Sequence, residues 1–99
     1  MQWLRLHIWW AKYKEAQKTY EKLIIIDPEF AQAYNNLGST LAGQGELEEA
    51  ILLFEKAVSI DPNYINAQNN LKLARSLMAE KGVSNWLYIS TIMVLPIAK

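Results

Sequence analysis

Between Ala31 and Tyr64 the apolar positions recur at spacings of three and four, the period of one face of a helix. Tyr34, Leu37, Gly38 and Leu41 share one side of a first helix. Leu47, Ala50, Ile51, Phe54, Ala57 and Val58 share one side of a second, while Glu48, Glu49, Glu55 and Lys56 face away. Gly43-Gln44-Gly45 separates the two, and Gly45 suits the left-handed conformation that ends a helix. Glu46, Glu48 and Glu49 then stand where the positive end of a helix dipole favours carboxylates. Pro62 forbids helical geometry in the residue before it, so Asp61-Pro62 closes the second helix. The stretch predicts a helical hairpin.

One hairpin of this size cannot bury its apolar side alone, and the pattern recurs. Pro28, Pro62 and Pro96 are spaced 34 residues apart. The same step superimposes Ala16 on Ala50, Tyr20 on Phe54 and Asp27-Pro28 on Asp61-Pro62. It also carries Ala33 onto Ala67 and Asn35-Asn36-Leu37 onto Asn69-Asn70-Leu71. Self-similarity at this period marks a stacked helical array.

The pattern Tyr34-x-x-Leu37-Gly38-x-x-Leu41, Ala50-x-x-x-Phe54-x-x-Ala57 and Pro62 resembles a tetratricopeptide repeat. The resemblance implies an all-α fold in which antiparallel helix-turn-helix units stack as a short superhelix, one domain over 1–99. It divides into an N-truncated repeat (1–30), a full repeat (31–64) and a degenerate unit (65–98). It also implies that Gly38 and Ala50 are small because the two helices cross closely there, and that Ala57 packs on the next unit's first helix. Leu23 takes the place of Ala57 in the earlier unit, which implies a wider contact there.

The ends depart from the pattern. Met1 falls where the earlier unit's first helix should already be under way, so Met1 to Ala11 is a remnant of it. Trp9-Trp10-Ala11 replaces the glycine-bearing turn, leaving either a distorted turn or a helix running on into Lys12. Arg5 and His7 interrupt the apolar run too early for a signal peptide. The Trp-rich stretch reads as a remnant packed on the next helix or as a contact for a partner or membrane. Beyond it, Ala16 and Tyr20 are expected to face the hairpin partner, with Lys14, Lys18 and Lys22 solvated. In the last unit Lys72 stands in place of Gly38 and Arg75 in place of Leu41, so 65–81 reads as a polar-faced cap. Gly82 to Ala98 carries no charge. It is a degenerate second helix whose outer residues, 86–94, meet a partner or a second copy, or a membrane anchor at the lower limit of spanning length, or a loose end. The anchor is disfavoured by Pro96 and by Ser90-Thr91.

Composition narrows the chemistry. Ten basic and ten acidic residues cancel, which removes a charge-driven case for nucleic acid or an anionic substrate. With no cysteine and one histidine, disulfide frameworks and the usual zinc ligand sets are excluded. There is no phosphate-cradling glycine loop and no nucleophile served by a histidine and an acid. The expectation is a non-enzyme without cofactor or metal, in the cytoplasm or attached to a membrane.

What remains is the surface of the first helices. In the resembled family these line a groove that holds an extended peptide, and by register the groove residues are Gln32, Asn35, Asn36, Ser39, Asn66, Asn69, Asn70 and Leu73. Asn36 and Asn70 resemble the asparagine ladder with which some members grip a peptide backbone, since an amide offers both a donor and an acceptor. The competing reading is that these asparagines serve the fold. A lysine and arginine clamp for chaperone tails is disfavoured, because Asn66 and Asn70 occupy its places. The function expected is a module that binds a peptide or protein partner in that groove at about micromolar affinity. The alternatives are a membrane-attached assembly factor anchored by 82–98 and the detached repeat arm of a larger enzyme.

Overall fold

The computed structural model describes residues 2–80, with the side chains of Ile8 and of 10–80. Four helices occupy them: α1 (Gln2–Ile26), α2 (Ala31–Gly43), α3 (Leu47–Ile60) and α4, helical over 65–80. The readings made for 82–98, and for self-association through 86–94, lie outside the described residues.

Gly45 makes the turn between α2 and α3. It is the one described residue with positive φ, at 88°. Around it the Glu46 N–H donates to the Leu41 carbonyl at 2.9 Å and the Gly45 N–H to that of Ala42 at 3.0 Å. These are the paired bonds of a Schellman motif, which satisfy carbonyls that the end of a helix leaves over. Glu48 and Glu49 lie in the first turn of α3, as their charge favours. Once reversed, the chain can cross closely. A Cβ built on Gly38 would stand 2.6 Å from Cε1 of Phe54, so the phenyl ring lies directly on the α2 backbone. Phe54 is 3% exposed and joins Leu37, Leu41, Ala50 and Ala74 in the core. Burying a side chain of this size stabilises by about 1.5–3 kcal/mol.

The two inter-unit turns repeat bond for bond. The Asp27 N–H donates to the Leu23 carbonyl and the Asp61 N–H to that of Ala57, both at 2.9 Å. The Asp27 carboxylate accepts from the Glu29 N–H and that of Asp61 from the Asn63 N–H, each at 3.1 Å. Tyr34 donates its hydroxyl to the Pro28 carbonyl at 2.9 Å, and Gln68 donates its amide to the Pro62 carbonyl. Gln68 thus does the work of an aromatic residue that it does not resemble. The period read from prolines is a period of geometry.

Where the turn within a unit lacks its glycine, the chain does not reverse. α1 runs unbroken through Trp9-Trp10-Ala11, which settles the open choice at that point. α4 likewise stays helical through 77–79, the positions equivalent to Gly43–Gly45. A left-handed residue costs other side chains about 1–2 kcal/mol, so helix is the easier course. The continuous α1 corrects the placing of Ala16 and Tyr20. No antiparallel partner for them exists within 2–26, and Tyr20 packs with Ile24 against the core built around Leu37 and Leu41. Tyr13 lies where a Cβ on Gly43 would stand, 2.5 Å from its Cε1. Ile25 and Ile26, each 79% exposed, carry the β-branched run past the core and out to solvent. Among the described residues, no helix is long and apolar enough to cross a membrane.

Gly38→Val is expected to lower unfolding free energy by about 1–3 kcal/mol, against a helix-propensity gain of only a few tenths. Paired with Phe54→Leu it should cost less than the sum of the single changes, because the two share one contact. Denaturant titration of the four forms checks this, and strict additivity would show that the crossing is not set there.

Candidate peptide-binding face

The first helices of the two units, α2 and α4, are joined by side-chain amides. Asn35 is buried, 5% exposed, and donates through Nδ2 to the Tyr64 hydroxyl at 3.3 Å. Asn70 donates through Nδ2 to Oδ1 of Asn35 at 3.0 Å and to Oγ of Ser39 at 3.5 Å. Tyr64 closes the turn before α4, its N–H donating to the Asp61 carbonyl at 3.1 Å. The network therefore ties one unit's first helix to the next unit at two points. A hydrogen bond of this kind contributes about 0.5–1.5 kcal/mol, but an orphaned buried amide costs about 1–3.

The eight residues assigned to the groove by register fall into three groups. Asn35 is buried, and its amide donates to Tyr64 and accepts from Asn70, so it lies between α2 and the next unit. Gln32, Ser39, Asn66, Asn69 and Leu73 are exposed. Asn36 and Asn70 are half-buried, and their amides decide what the face can do. Among the described residues the Asn36 amide has no partner, while its backbone carbonyl accepts from Thr40 Oγ1 at 2.9 Å. Asn70 uses its donors and leaves Oδ1 unbonded. Among the described residues no buried side-chain polar atom is without a partner, so the unbonded amide atoms of Asn36 and Asn70 reach solvent.

Beside these amides lies a cleft of about 150 Å³. Ala42, Leu47, Phe54, Leu73, Ala74 and Leu77 give it an apolar wall, and Ser39 and Asn70 supply its polar lining. Leu73 is 60% exposed and Leu77 42%. Charge lies elsewhere. Arg75 meets Glu55 at 3.7 Å with both side chains well exposed, a pair worth at most about 1 kcal/mol. Lys56 sits 6.0 Å from the centre of the Tyr34 ring.

The periodic reading overlooked Tyr64, and it overlooked Ala42, Leu47 and Leu77 in the cleft. A contact between neighbouring repeats joins positions that are not equivalent. Asn35 bonds to Asn70, not to Asn69, so no period displays the pair. The alternating Asn-Asn in both units was the available signal.

Comparison with protein families gives two matches. A "Tetratricopeptide repeat" model matches residues 31–64, and a "TPR repeat" model matches residues 12–45, so the two together span 12–64. No curated protein matches the chain.

Asn35→Ala is expected to cost about 1–3 kcal/mol, since it removes the hydrogen bonds to both Tyr64 and Asn70. Asn69→Ala, at the equivalent position of α4 and exposed, should stay within about 0.5 kcal/mol of the parent. Chemical denaturation of both variants tests the difference, and equal effects would remove the network from the account.

Proposed function

The chain belongs to the tetratricopeptide repeat family, and on that footing we propose that it binds an extended peptide of a protein partner along the exposed side of α2 and α4. Members of the family generally mediate protein interactions. The supporting observation is the pair Asn36 and Asn70, whose amides have bonding capacity left over and open to solvent. Asn70 is held by its own donation to Asn35, so its Oδ1 faces a partner without first losing rotamer freedom, which lowers the cost of binding. Asn36 offers both donor and acceptor. A peptide backbone supplies the complementary set at every residue whatever its side chains.

The surroundings are neutral. Gln32, Asn36, Ser39, Asn66, Asn69 and Asn70 carry no charge, so binding by this face depends little on ionic strength. The competing reading of the asparagines is met halfway: Asn35 and the Asn70 donor serve the fold, while the Asn70 acceptor and Asn36 are left for a partner.

Panning a library of random peptides against the whole chain tests the proposal. Selected peptides should weaken about tenfold or more on Asn36→Ala, the loss of one buried hydrogen bond at about 1–3 kcal/mol. The melting of that variant should be unchanged, and affinity should hold between low and high salt. Peptides that bind Asn36→Ala as well as the parent would dispose of the assignment.

A further inference from the structure

We propose that the cleft beside Asn70 is a specificity pocket that takes one large uncharged side chain, of leucine or phenylalanine size, from the partner peptide. This deepens the reading of the face given above and rests on it: the amides hold a backbone, and the cleft selects a residue.

Size and charge of the lining set the class of side chain. A volume of about 150 Å³ is of the order that takes a benzene-sized group, and the methyl of alanine would leave most of it empty. No residue of the lining is ionisable, and the ion pair between Arg75 and Glu55 lies outside it. A lysine or glutamate side chain would therefore enter without a counter-charge, at a cost in lost hydration. An apolar one would cover Leu73 and Leu77, which are 60% and 42% exposed, and gain by removing them from water.

Hydrogen-bonding capacity at the edge of the cleft identifies the occupant as a residue within a peptide. Asn70 donates through Nδ2 to Ser39 Oγ at 3.5 Å. That bond uses the serine oxygen as acceptor and leaves its hydrogen to donate, while Asn70 Oδ1 is left to accept. One donor and one acceptor thus belong to residues that line the same cleft as the apolar wall. A peptide residue carries the matching set of a carbonyl, an N–H and a side chain. A free hydrocarbon would use only the wall, and a polar side chain only the edge. Leucine or phenylalanine in a peptide uses both.

Capped single amino acids test this on the full chain. The N-acetyl methylamides of phenylalanine, leucine, alanine and glutamate are titrated while the methyl resonances of Leu47, Leu73 and Leu77 are followed by NMR. The phenylalanine and leucine compounds should shift these resonances saturably, at about millimolar affinity for ligands so small. They should bind at least about tenfold more tightly than the alanine and glutamate compounds, because of the additional apolar carbon they bury. Leu73→Ala and Leu77→Ala should each weaken the phenylalanine compound several-fold, while Leu52→Ala, an exposed leucine outside the lining, should not. Equal affinity for all four compounds, no shift with any, or an equal loss from Leu52→Ala overturns the proposal. The same shifts produced by raising protein concentration alone would give the cleft to a second copy and overturn it too. Asn36 is not in the lining, so the two readings fail separately. Flat titrations leave peptides that depend on Asn36 standing, and peptides indifferent to Asn36→Ala leave the titrations standing.

Discussion

The phenyl ring of Phe54 lies where a side chain at position 38 would stand, and that close approach fixes how α3 crosses α2. Much else follows from it. The ring brings Leu37, Leu41 and Ala50 into one core, and Ala74 of α4 closes on the same cluster. With α2 and α4 both packed on α3, their remaining sides lie next to each other, and Asn35, Asn70 and Tyr64 bind them together. The polar face is thus a product of the apolar one. Gly38 leaves room for the ring around which α2, α3 and Ala74 of α4 share one core.

Reversal within a unit is the second constraint, and it depends on glycine in a simpler way. The hairpin turns at Gly45 because that residue accepts positive φ at no steric cost. The two equivalent places, Trp9-Trp10-Ala11 and Leu77-Met78-Ala79, contain no glycine and are helical. The described molecule is therefore a single hairpin flanked by two helices that run on. At one flank this leaves Tyr20 and Ile24 with only the hairpin to pack against. At the other it leaves Leu73 and Leu77 open beside a cleft.

Most of the architecture was legible in the chain because its causes are local or periodic. Gly45, the Asp-Pro turns and the spacing of Leu37, Leu41, Ala50 and Phe54 each act through neighbours in sequence. The site was legible only in outline. Register placed Asn35 and Asn36 together on one face, yet adjacent residues on a helix point about 100° apart, and the structure buries one while leaving the other half open. Which asparagine turns inward depends on where Tyr64 and Asn70 arrive from the next unit. Gln68 shows the converse: a residue unlike Tyr34 makes the same bond to a proline carbonyl, because an amide reaches as far as a phenol there.

The central claim is that one set of asparagine amides locks the repeats together while another is left for a partner. The side-chain amide spectrum of the full chain tests it most directly. The Nδ2 protons of Asn35 and Asn70 should exchange slowly with water, while those of Asn36 and Asn69 exchange as free amides do. Protons of Asn35 and Asn70 exchanging as fast as those of Asn69 would contradict the account.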